Sequence, residues 1–142
     1  LFKNTLNDPL EQIAKDNRWN KLTVFMEFWG NQSFAGQHVK DDPKFLTVLD
    51  ACSDRDGFIP PRDFINIFKH VPTPLFLGKR RWTRGFVEEV KNGRIEGITF
   101  EGVVGKEKER NQLILAKAKT SAWITRVMEK YGIEQGQKII SS

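Results

Sequence analysis

Behind Asp8-Pro9, the apolar residues Leu10, Ile13 and Ala14 recur at helical spacing, which predicts a helix with Asp8 as its N-cap and Pro9 in its first turn. Leu22 to Trp29 is strongly apolar, with Glu27 as its only charge, and predicts a strand closed by Gly30. The polar, glycine-containing stretch from Asn31 to Asp42 predicts a loop. Phe45 to Leu49 is a second short apolar run stopped at Asp50, and Asp54-Arg55-Asp56-Gly57 is a turn. Pro60-Pro61-Arg62-Asp63 opens a helix through Ile67 and Phe68, and Val71-Pro72-Thr73-Pro74 then leads into a short strand at Leu75 to Leu77. Thr83 is placed to cap a helix holding Phe86, Val87 and Val90, which ends at Asn92-Gly93. Two further apolar strands follow, Ile98 to Val104 and Leu113 to Thr120, with the mixed-charge run Lys106 to Arg110 as the hairpin turn between them. Thr120 or Ser121 caps a last helix with Trp123, Ile124, Val127 and Met128 facing inward, and the tail from Gln135 is expected to fray. Helices interspersed without a regular βαβ rhythm predict an α+β domain built on antiparallel strands.

A few charges interrupt these apolar strands. Glu27 and Glu101 each stand among large apolar neighbours, and Lys117 and Lys119 alternate along the strand before the last helix. Alternate residues of a strand share a face, and a buried charge costs several kcal/mol unless something pairs with it. Two lysines on one face therefore suggest a common anionic target, for which phosphate is the natural candidate. Carboxylates opposite them suit a nucleotide carrying a divalent ion, and Asp50 adds another carboxylate at the end of its strand. The competing reading is that Glu27 and Glu101 are solvent-facing members of amphipathic strands.

Composition narrows the class without choosing it. A chain of 142 residues buries about two-thirds of its unfolded surface, enough for a single core but not for two independent ones. A net charge of +5 favours a polyanionic partner. The lone Cys52 excludes an internal disulfide, and no apolar run approaches the roughly 20 residues of a membrane span. The first residues lack the pattern of a signal peptide.

Four segments, in order, resemble the later motifs of the covalent nucleotidyltransferases, the superfamily of ATP-dependent DNA ligases, RNA ligases and mRNA capping enzymes. Phe25-Met26-Glu27-Phe28-Trp29-Gly30 resembles motif III, Phe45-Leu46-Thr47-Val48-Leu49-Asp50 motif IIIa, Glu101-Gly102-Val103-Val104 motif IV, and Lys117-Ala118-Lys119 motif V. The loop from Phe28 to Gly36 and the ending Lys119-Thr120-Ser121-Ala122-Trp123 look closest to phage-type and bacterial RNA ligases. The resemblance implies an adenylation domain with an antiparallel-sheet core, in a bacterial or phage-infected cytoplasm. Its reaction runs through lysyl-AMP and an adenylylated 5′-phosphate, and ends when a 3′-hydroxyl displaces AMP. Glu27 would then contact the ribose, Leu49 the adenine, with Asp50 beside it; Glu101 would help hold Mg²⁺ or Mn²⁺, and Lys117 and Lys119 would grip the phosphates of ATP. Its partners would be RNA or DNA ends, with pairing of exposed sheet edges as a route to a homodimer.

The chain departs from the family at two points. Leu49 stands where an aromatic residue is common, and it packs on a base without stacking. The nucleophile motif Lys-x-Asp-Gly occurs after none of the fourteen lysines, and Arg55-Asp56-Gly57 offers only an arginine, too basic to attack. The expectation is a partial adenylation domain, incomplete at its N-terminus and unable to adenylylate itself. Two rival classes stay open: a noncatalytic nucleotide- or nucleic-acid-binding module, and an interaction domain in which Glu101 and the lysines merely satisfy each other.

Other features carry less. Asp54-x-Asp56-Gly57 resembles part of a calcium loop, but Cys52 and two prolines fall where ligands belong. Lys79-Arg80-Arg81-Trp82 with Arg84 suits either a nucleic-acid backbone or a solvated basic turn. His38 and His70 are too far apart to suggest a metal pair, and Trp19, Trp29 and Trp123 read as core.

Overall fold

The computed structural model describes residues 2–30 and 43–141. The predicted loop from Asn31 to Asp42, with His38, lies outside the described residues. The chain is mixed α+β with antiparallel sheets, in the order α1 (Phe2–Thr5), α2 (Asn7–Asp16), β1 (Leu22–Trp29), β2 (Phe45–Ser53), β3 (Gly57–Phe58), α3 (Pro61–Ile67), α4 (Arg84–Lys91), β4 (Gly102–Glu109), β5 (Gln112–Lys119) and α5 (Ser121–Ser141). It divides into two compact units, one of Leu1–Phe76 with Glu107–Leu113, the other of Leu77–Lys106 with Ile114–Ser142. No described helix is long and apolar enough to cross a membrane.

In the first unit β1, β2 and β3 form an antiparallel sheet in that order. Its core is Leu6, Leu10, Trp19, Val48, Ala51, Ile59, Phe64, Phe68 and Val71, with Leu22, Val24, Met26 and Leu46 packed against it from the sheet. The register between β1 and β2 slips at Phe25/Met26: Phe25 pairs with Asp50 and Met26 with Val48, so Leu49 is a bulged extra residue. The β2–β3 turn is held by carboxylates. Asp56 accepts from Trp19 Nε1 at 2.8 Å and from Ser53 Oγ at 3.2 Å, and Asp54 accepts from the Lys21 backbone N–H at 3.3 Å. These acids thus stitch a turn, and no group of three or more His, Cys, Asp or Glu side chains able to hold a metal gathers among the described residues.

Several elements differ from the sequence reading. Leu6, not Asp8, stands at the N-cap position of α2; its side chain is 1% exposed, so core packing outweighs capping preference. Asp50 does not stop its strand, because pairing with β1 carries β2 on to Ser53. No strand forms at Leu75 to Leu77: Pro72 and Pro74 lack donors, Leu75 and Phe76 are 71% and 57% exposed, and Leu77 packs in the second unit's core instead.

That second core, against the single core expected from the chain's length, joins Val90, Ile95 and Ala118, with Leu77, Phe86, Val87, Ile98 and Val103 around them. Thr83 caps α4 as expected, accepting from Phe86 N at 3.1 Å. β4 begins only at Gly102, because Thr99 Oγ1 donates to Gly102 O at 3.0 Å and accepts from its N–H at 3.3 Å, turning the chain before pairing starts. The run Lys106 to Glu109 is strand rather than turn; Arg110, with φ 52, and Asn111 make the turn. The tail from Gln135 is helical, not frayed. A kink at Gly132 (φ 75, ψ 173) precedes a segment whose Gly136 is buried, close enough to Met128 Sδ that a Cβ would fall 2.7 Å from the sulfur.

Candidate functional site

In the second unit, the open end of the β4–β5 hairpin collects the residues that resemble motifs IV and V. Backbone pairing continues past the strands, with Thr120 N donating to Glu101 O at 2.9 Å. Gly102 (φ 138) is required there: a Cβ would sit 2.0 Å from Ala118 O and 2.9 Å from Lys119 Cα. Any side chain would wedge the strands apart and draw Glu101 away from Lys119. With glycine in place, Lys119 Nζ donates to Glu101 Oε1 as an ion pair. The same ammonium lies over the Trp123 ring, 4.6 Å from its centroid. Lys119 keeps only 18% of its side chain exposed, Glu101 38%.

Thr120 fixes this geometry to α5. Its hydroxyl donates to Phe100 O at 2.5 Å and accepts from Trp123 N at 3.1 Å, so one side chain both caps the helix and ties down the segment that carries Glu101. The helix in turn presents Trp123, 6% exposed, to Lys119. The sequence reading placed Trp123 in the core but gave it no role at the site. A lysine four residues before a tryptophan across a Thr cap is the signal that could have found it. Lys117 lies two residues before Lys119 on the same face of β5 and is exposed. Glu101 itself precedes β4 rather than lying within a strand.

An open depression of about 460 Å³ in this unit is lined by Lys91, Thr99, Phe100, Thr120 and Ser121 among others, but not by Glu101, Lys117 or Lys119. The predicted residues therefore lie outside this depression.

In the first unit, Glu27 lies on the exposed face of β1 with Thr23 and Phe25, in line with the reading of Glu27 as a solvent-facing member of an amphipathic strand. Paired residues of antiparallel strands share a face. Glu27 pairs with Thr47 and Phe25 with Asp50, so the register sets the carboxylates of Glu27 and Asp50 on one face, opposite the core. If β2 ran through Leu49 in regular alternation, without the bulge, Asp50 would fall on the core side. Phe25 stacks on Phe58 at 5.7 Å, adding aromatic surface on that same face.

Mg²⁺ keeps several waters and binds through one or two carboxylates plus substrate phosphates. Glu101 offers one carboxylate, and no group of three or more His, Cys, Asp or Glu gathers among the described residues. The donor set fits a metal that arrives with phosphate oxygens and does not fit a resident metal centre. No family model, no curated protein and no solved structure matches this chain.

Proposed function

We propose that this chain is the nucleotide-binding part of an ATP-dependent polynucleotide ligase, with RNA as the strand joined and DNA joining as the enzymatic rival. The observation that carries the reading is the pairing of Glu101 with Lys119 across a hairpin end that only glycine at position 102 permits. Phosphoryl transfer depends on positioning and on neutralising charge at phosphate oxygens, which a held ammonium beside a carboxylate serves. Lys119 and Lys117 would meet phosphate oxygens, and Glu101 a Mg²⁺ bound to them. The roles of Glu27 and Asp50 beside the ribose, and of Leu49 against the base, rest on the resemblance; the shared face of the two carboxylates agrees with it. No lysine here precedes x-Asp-Gly, so the chain alone is expected to bind ATP without forming lysyl-AMP.

The test is calorimetric titration with ATP and Mg²⁺, followed by intact-mass measurement. Wild type should bind without gaining the mass of AMP. Lys119→Ala should bind about tenfold to a hundredfold more weakly, the worth of a charge-assisted hydrogen bond. Absence of ATP binding by wild type defeats the proposal.

One observation favours a second reading. Lys119 already has a carboxylate and an indole as partners, an arrangement complete without a ligand. A purely structural latch would leave Lys119→Met less stable and with no nucleotide affinity to lose.

A further inference from the structure

The second unit carries a strongly basic surface that the site above does not use. Lys79, Arg80, Arg81 and Arg84 fall within six residues, no acidic residue occurs from Leu77 to Val87, and all four are exposed. These four charges compare with a net +5 for the whole chain, so its basic excess is concentrated here. Intramolecular ion pairs do not account for Lys79, Arg80 or Arg81, and Arg84 acts within the chain only through its charge on Glu88. Among the described residues no carboxylate lies within ion-pair distance of Lys79, Arg80 or Arg81. Arg80 donates from Nε to Leu77 O at 3.3 Å, which steadies its stem and leaves the rest of the guanidinium outward. Arg84 sits in the first turn of α4, where no acid accompanies it and where the helix dipole disfavours a cation. Stability alone would place the opposite charge there.

Trp82 stands in the middle of this cluster. Its indole rests on the backbone of β4 at Gly105, where a Cβ would fall 2.7 Å from the ring, and meets Phe86 of α4 edge-on at 5.5 Å. The ring is therefore held in place by two elements, yet 40% of the residue is exposed. A seated, partly open aromatic among unpaired cations is the arrangement that binds single strands: cations follow the phosphates, and an unstacked base lies on the ring.

We infer that Lys79, Arg80, Arg81 and Arg84 with Trp82 form a docking surface for single-stranded nucleic acid, RNA in the first instance. The inference deepens the ligase reading by naming where its polynucleotide lies, and it rests on that reading for the choice of RNA over other polyanions. The surface is separate in sequence from Glu101, Lys117 and Lys119, so the two can be tested apart.

The experiment is fluorescence anisotropy of the full chain with a labelled single-stranded RNA of about 16 nucleotides, the upper end of the usual site size, and with its duplex form. Four phosphate contacts give a log–log salt slope of about −2.8, and the double variant Arg80→Gln/Arg81→Gln should bind more weakly with a slope of about −1.4. Trp82→Leu should lose about fivefold to a hundredfold on the single strand while keeping the wild-type slope and its duplex affinity. Trp82→Phe, which keeps an aromatic on Gly105, should retain most of the binding and so separates stacking from misfolding. RNA binding by the double variant equal to wild type overturns the inference. So does an equal loss of single-strand and duplex affinity in Trp82→Leu, which would mean a surface for any polyanion. Lys119→Ala distinguishes the two failures. If RNA binding depends on the basic surface while ATP does not bind, the surface stands and the ligase reading falls; if ATP binding depends on Lys119 while RNA ignores the surface, this inference falls alone.

Discussion

Thr120 connects three residues through one side chain and one backbone N–H: Phe100 and Glu101 before β4, and Trp123 in the first turn of α5. Replacing it with valine keeps the volume and the β-branch but removes the hydroxyl, leaving the Trp123 N–H and the Phe100 carbonyl without their partner. The expected loss is about 1–2 kcal/mol in urea unfolding, with Thr120→Ser restoring most of it. This residue was legible in advance, since a Thr-Ser pair ahead of an apolar helical period announces a cap. The partner of Lys119 was not. Nothing local tells a strand lysine that it will lie over an indole on the following helix and beside Glu101, eighteen residues earlier; that depends on the hairpin closing and on Gly102 letting the two backbones touch. The same long-range dependence left Glu27 open between a buried and a solvent-facing charge; its apolar neighbours alternate between the core face and the open face of β1.

At the scale of elements, α4 offers a clean electrostatic test. Glu88 accepts a hydrogen bond from Lys91 Nζ at 3.0 Å, and that bond, with the Lys91 charge and those of Arg84 and Arg94, holds the Glu88 carboxyl below its ordinary value of 4.5. Its folded pKa is depressed, so the unfolded chain takes up the proton first. The stabilisation is present above pH 4.5 and is lost as pH falls through the folded value. NMR titration of the Glu88 side chain should give a midpoint below 4.5 that moves up toward it in Lys91→Gln, and partly so in high salt because the pair is exposed. A midpoint that ignores Lys91 would refute this cause. Elements announced by capping and period, such as α4 and α3, were readable locally. The boundaries that moved were those decided by pairing: β2 runs past Asp50 because β1 is there to meet it, and Lys106 to Glu109 are strand because β5 faces them. A mixed-charge run reads as a turn only while its partner strand is unknown.

At the scale of the molecule, the alternation of helices and antiparallel strands gave the α+β class, whereas the division into two units did not show in any linker. It follows instead from two separate sets of buried side chains, one around Phe68 and Val48, the other around Val90 and Ala118. Phe68 is 0% exposed and stacks on Phe64 at 4.6 Å, so Phe68→Ala should cost about 3–5 kcal/mol of stability in chemical denaturation. A loss below 1 kcal/mol would mean that the cavity collapses freely. The bulge at Leu49 has a last consequence for how this sequence tolerates length changes. On the two sides of it, β2 runs in opposite phases, with Val48 and Ala51, three residues apart, both in the core. Deleting Leu49 alone would remove the bulge and leave every other pair of the ladder in register. With the Phe45 end paired as before, Asp50 would stay opposite Phe25 on the open face and Ala51 opposite Val24 in the core. The strand therefore behaves like a text with one spare letter: dropping Leu49 leaves every other word readable, while adding a letter within the paired run shifts the words beyond it or demands a second bulge.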